Sequence, residues 1–186
     1  MHSFQWVQGA LGIIVGLGMT RIIISIVNCI IGRTQIKLDW VPFAWAGTIF
    51  ILLLQFSWGL VEIEKVVPVW TFAIFICLLI FILNLFLAGA MILPNSESQA
   101  GGDLRVWYER QGRWAMPFLI LYVLLAYVFN WYFLDKGPES NPASALFAVL
   151  ALNAFVSRSR RVLEITTILS VLVSAGIFVE MLMAEV

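Results

Sequence analysis

Eight polar side chains interrupt the long apolar runs of this 186-residue chain: Arg21, Asn28, Gln55, Asn84, Asn130, Asn153, Glu164 and Glu180. A cation, five amides and two carboxylates offer charge and hydrogen bonding rather than nucleophilic attack. On different helices they would line a wet path through a bundle, with Arg21 at its narrow point. A fixed positive charge there favours anions and opposes cations; if Glu164 neutralises it, size and hydrogen bonding select instead. The competing reading is structural. Interhelical amide hydrogen bonds contribute about 0.6–2 kcal/mol each, and a buried arginine can simply be paired. Glu164 also lies beside Arg160 and Arg161, where a local salt bridge would explain it.

The sequence holds no HExxH, no GxSxG, no paired carboxylates near a histidine and no glycine-rich phosphate loop, so no enzyme is expected. No cofactor is expected either. The one histidine, His2, cannot ligate a membrane haem from both sides or build a histidine-rich metal site. Lys37, Lys65 and Lys136 fall at predicted helix ends or loops, which leaves no mid-span amine for a retinal-type Schiff base. Cys29 and Cys77 lie within apolar runs and read as small buried hydrophobes.

The elements that must carry these groups are membrane spans. The chain is 62% hydrophobic and 12% charged, against about 45–50% and about 25% in soluble domains. Six spans are predicted over 9–32, 40–61, 68–93, 114–134, 141–157 and 162–184, all within one all-α membrane domain covering 1–186. The first is long enough, at roughly 36 Å, to cross a hydrocarbon core of about 30 Å, and it places Arg21 near its middle. The run is too long, and lacks the basic flank, for a signal peptide, so it is expected to be retained. Arg21, Ser25, Asn28 and Gly32 share one face of this span, while Gly9, Gly12 and Gly16 share roughly the opposite one. With one polar face and one grooved face, it is expected inside the bundle. In the second span Thr48, Gln55 and Glu62 recur every seven residues, giving a sparse polar stripe. Residues 62–67 read as a tight connection and 95–102 as the one real linker. The fifth span is the shortest, near the lower limit of about 17 residues.

Asp103 reads as the N-cap of DLRVWYERQGRW (103–114), with Leu104, Trp107 and Tyr108 on one face. This predicts a short amphipathic helix in the membrane interface between spans three and four, serving either as an anchor or as a docking element for a protein partner.

Orientation follows from charge. Arg33, Lys37, Arg105, Arg110, Arg113, Arg158, Arg160 and Arg161 fall in loops one, three and five, whereas only Lys65 and Lys136 fall on the other side. Those three loops are therefore expected in the cytoplasm and both termini outside it. Trp6, Trp58, Trp70 and Trp131 fall near the outer surface and Trp40, Trp45, Trp107 and Trp114 near the inner one, in agreement. Eleven basic and eleven acidic residues give zero net charge, so nucleic acid is not expected.

WTF at 70–72, the span-ending Leu93-Pro94 and DLRVWYERQGRW resemble a widespread group of small bacterial polytopic membrane proteins of unassigned function. The resemblance covers about the first two thirds of the chain and implies a bacterial inner-membrane protein; it carries over no catalytic residue. Members of that group tend to hold a proline within the third span, where this chain has Asn84.

The sequence therefore predicts a small channel or transporter for ions or small solutes, embedded in lipid. Self-association into a homo-oligomer is expected, because so small a bundle has little interior; Gly12-x-x-x-Gly16 is a dimer-type pattern that reads first as packing within one subunit and second as a subunit interface. The alternative is a non-transporting accessory, assembly or sensor subunit acting through 103–114.

Overall fold

The computed structural model describes residues 2–67, 69–95, 102–134 and 142–183. Among them the chain is helical: α1 (His2–Ile31), α2 (Trp40–Val66), α3 (Phe72–Ile92), the short α4 (Leu104–Arg110), α5 (Ala115–Leu134), α6 (Pro142–Val156) and α7 (Arg160–Met183). One-turn 3-10 segments at Gly32–Thr34 and Gly112–Trp114 close α1 and open α5. α1, α2, α3, α5 and α7 are each long and apolar enough to cross a membrane. Outward-facing Ile165, Leu172, Val149 and Val128 add an apolar surface suited to lipid rather than water. This is a membrane protein.

α6 is apolar but only 15 residues, roughly 22 Å, which is short of a full hydrocarbon core. α2 runs on to Val66, so Glu62, Glu64 and Lys65 belong to its last turn rather than to a loop. The predicted linker lies mostly outside the described residues, as do Pro68, the turn at 135–140 and Asn141.

The helices pack in a closed order, α1 against α3, α3 against α5, α5 against α6, α6 against α7, α7 against α2, and α2 against α1; α2 also touches α3. α2 and α3 thus each pack against three long helices, and α2 has Val41, Trp45, Ala46, Ile49 and Leu53 wholly buried. α1 instead sits at the rim, chiefly against α2 and α3. Its polar face turns inward as its periodicity predicts, but Gly9, Gly12 and Gly16 are exposed, and an added Cβ would meet nothing within 4 Å. Close helix approach uses other glycines. Gly18 faces Leu53, and Gly89 lies 3.1 Å from Ile22 at its would-be Cβ.

Asp103 caps α4, accepting from the backbone N–H groups of Arg105 and Val106. The helix is seven residues long, and it buries Leu104 and Tyr108 against the bundle. A parallel backbone bridge ties its entry to the first loop: Lys37 N–H donates to Gly102 O, and Leu104 N–H to Lys37 O, each at 3.0 Å. Gly102 has φ +81°, a left-handed conformation that glycine adopts without strain.

Candidate functional site

A polar column runs between α2 and α7. On α2 it comprises Trp45, Thr48, Gln55 and Glu62, and on α7 it comprises Arg160, Glu164, Thr167, Ser170 and Ser174. Steps of three, four and seven residues hold each set on one helix face, and the two helices pack directly.

One end of the column is closed by ions. Asp39, the N-cap of α2, accepts the Val41 N–H at 3.0 Å through Oδ1. The Arg160 guanidinium reaches it from across the bundle, through two parallel bonds of 2.5 and 2.8 Å. Arg160 Nε donates to Glu164 at 2.7 Å. Arg160 is the first residue of α7, where a cation has the wrong sign for the helix dipole; the two carboxylates offset that. Burial pushes the Asp39 carboxyl up, but the hydrogen bonds from Arg160 and Val41 and the charges of Arg160 and Arg105 outweigh it. The net position lies below the ordinary aspartate value. Nearby in α4, burial drives the Tyr108 phenol well above its usual range, and its hydroxyl has no partner among the described residues.

About two turns beyond the Asp39–Arg160 pair, Trp45 is fully buried and donates Nε1–H to Thr167 Oγ1 at 3.1 Å, while its ring meets Phe147 edge-on at 6.1 Å. Thr167 in turn donates to Leu163 O at 2.7 Å, so that hydroxyl is satisfied both ways. Trp45 and Phe147 form a dry plug. Trp45 is therefore a core residue, unlike exposed Trp6, Trp40, Trp58, Trp114 and Trp131.

Beyond the plug the column widens. A cavity of about 170 Å³ lies among α2, α5, α6 and α7, with Gln55, Tyr122, Tyr127, Asn130, Ser144 and Ser174 as its polar lining. A second hollow of about 470 Å³ shares Gln55, Tyr122 and Asn130 and continues past Gly59 to Glu62 and Met181, near the far ends of α2 and α7. The column is thus open towards one end and shut twice towards the other. Gln55 is 9% exposed, and its Nε2 has no hydrogen-bond partner among the described residues; Thr48 Oγ1, between plug and cavity, is orphaned in the same way. Stacked Phe81 and Tyr122, 4.5 Å apart, back the cavity wall.

The eight candidates from the sequence separate accordingly. Gln55 and Asn130 meet at the cavity. Glu164 lies at the ionic closure, paired with Arg160 rather than with Arg21. Arg21 sits two-thirds of the way along α1, against the last turn of α3. There its guanidinium donates to Ala90 O at 3.0 Å and Leu93 O at 3.4 Å, and it also bonds Ser25. Pro94 forces Leu93 into extended backbone, which ends α3 and strands its last carbonyls. Arg21 satisfies two of them, and Asn28 donates to Asn95 O at 2.8 Å. Asn84 is buried and donates to Ile80 O within its own helix. Asn153 and Glu180 face outward.

Asp39, Arg160, Trp45, Thr167 and Ser174 were not among the sequence candidates. The seven-residue spacing of Thr48, Gln55 and Glu62 marks the α2 face, whereas in sequence Ser170 and Ser174, four residues apart, read as small residues for packing. Among the described residues no cluster of His, Cys, Asp and Glu is arranged to hold a metal.

No known family model, curated protein or solved structure matches the chain, so its functional reading rests on its own residues.

Proposed function

We propose that this protein is a small channel or transporter for small solutes, with the α2–α7 polar column as its path. The observation that carries this reading is the cavity lined by Gln55 and Asn130, open towards the Glu62 end and shut towards the Asp39 end by the Trp45–Phe147 plug and the Asp39–Arg160–Glu164 lock. Gln55 Nε2 and Thr48 Oγ1 are buried on this face and unpartnered among the described residues, at about 1–3 kcal/mol for each orphan. A path visited by water or solute supplies their partners.

In this reading α6 is a sixth span, short because it lies beside the cavity and not wholly against lipid. α4 rests at the membrane interface, and the basic Asp39 end faces the cytoplasm of a bacterial inner-membrane protein with both termini outside. The polar path lies within one chain. Self-association then concerns the exposed glycine face of α1 rather than the building of a pore.

The test is solute flux into proteoliposomes of the purified protein, with Asp39→Asn in parallel. Flux above protein-free vesicles is expected, and it rises when Asp39→Asn loosens the lock. No flux of any solute from folded, inserted protein defeats the proposal.

A second reading, an accessory subunit docking a partner through 103–114, draws on the exposed Val106 and Trp114 and on the buried orphans Trp107 Nε1 and Arg113 Nε. A partner co-purifying with the native protein but lost on Val106→Asp would favour it.

A further inference from the structure

We infer that the cavity at Gln55 and Asn130 is a binding site for a small neutral polyol and selects against ions. The inference rests on the transport reading above and names the substrate class of the same site.

All six polar groups of the lining are neutral: the amides of Gln55 and Asn130 and the hydroxyls of Tyr122, Tyr127, Ser144 and Ser174. An ion brought among them would lose its hydration with no opposite charge to meet it, and a buried charge requires such a partner. The nearest carboxylate on the route, Glu62, belongs to the outer hollow, where it is exposed and already paired with Lys65 at 2.7 Å. A neutral solute avoids that penalty.

The lining asks for both donors and acceptors. Gln55 Nε2 is a buried donor without an acceptor, and the Ser174 hydroxyl already donates to Val171 O at 3.0 Å, which leaves it as an acceptor. A polyol hydroxyl accepts and donates at one atom, so adjacent hydroxyls answer both needs. The remaining wall is apolar and includes the Phe147 ring, which suits the C–H edges of a short carbon chain. Size agrees too: about 170 Å³ equals the liquid volume of about five or six waters, room for a three- or four-carbon polyol.

Two readouts test this on the intact protein. Equilibrium binding of radiolabelled erythritol in detergent reads the site, and proteoliposome flux of glycerol, erythritol, urea, potassium and chloride reads the path. Saturable erythritol binding is expected, at least tenfold weaker in Gln55→Leu, with Gln55→Glu admitting cations that the wild type excludes. Polyol flux is expected to exceed either ion at least tenfold. Absence of binding, or binding unchanged in folded Gln55→Leu, overturns the site. Ion or urea flux without polyol flux overturns the substrate class while transport stands. Erythritol binding with no flux of any probe supports the site and defeats the transport reading instead.

Discussion

Asp39 and Arg160 stand 121 positions apart in the chain and meet through two bonds, Nη1 to Oδ2 at 2.5 Å and Nη2 to Oδ1 at 2.8 Å. The aspartate that caps the second helix is thus held by the residue that opens the last. The fork geometry makes this pair stronger and more directional than a single-point contact. Asp39 is nearly buried and Arg160 about one-fifth exposed, so removing one partner strands a charge at a cost of about 3 kcal/mol. Arg160→Met is expected to destabilise the folded bundle by that amount. The double variant with Asp39→Asn is expected to cost less than the two singles combined, read by denaturant unfolding in micelles.

Acid should act through the same pair. The Asp39 carboxyl lies below its ordinary position of about 3.9, so its contribution is fully present above that value. It is lost as pH falls through the depressed folded value. Stability and flux are therefore expected to be flat from neutrality down to about pH 5 with respect to this group. Below that, the wild type should converge on Asp39→Asn, whose own profile lacks the step. A step near pH 6 that Asp39→Asn abolishes would contradict this.

Arg21 is expected to matter for assembly rather than selectivity. Arg21→Leu leaves the carbonyls of Ala90 and Leu93 without their donor, and charged hydrogen bonds of this kind contribute about 1.5–3 kcal/mol. The folded yield should fall, and faster amide exchange should appear around 93–95, while flux per folded molecule and ion preference stay at wild-type values. A changed ion preference in well-folded Arg21→Leu would return Arg21 to the path.

Two orphaned hydroxyls give a contrast. Tyr108→Phe removes a buried, unpartnered group outside the column and should raise stability by about 1 kcal/mol with flux unchanged. Thr48→Val also removes an orphan, but from between the plug and the cavity, and should slow flux as it stabilises. Equal effects of the two on flux would remove Thr48 from the path.

Asn153→Leu and Glu180→Gln should leave flux as it is, because both side chains point out of the bundle. These variants separate polarity in a span from polarity in the column.

Composition and period made the membrane helices legible, and the Asp103 cap and the inward polar face of α1 could be read residue by residue. The depth and partner of each polar group could not. Arg21 is central in its apolar run, yet α1 begins seven residues before that run, and Pro94 ends α3 at its level, so the guanidinium meets a helix end. Trp45 has the composition of an interfacial anchor but lies where Thr167 offers an acceptor, a pairing across 122 positions that no local pattern encodes. The cavity needed four helices to be placed before Gln55 on the second and Asn130 on the fifth helix could be seen as neighbours.

The long reach of these pairings bears on how the protein is made. Arg21 emerges from the ribosome 69 residues ahead of Ala90, and Asp39 precedes Arg160 by 121. Arg21 enters the bilayer, and Asp39 reaches its edge, before the partner of either has been synthesised. The first helix can settle only when Pro94 has halted the third, and the first loop is fastened only when the last helix arrives. A chain stalled before α7 would leave Asp39 without the guanidinium that holds it.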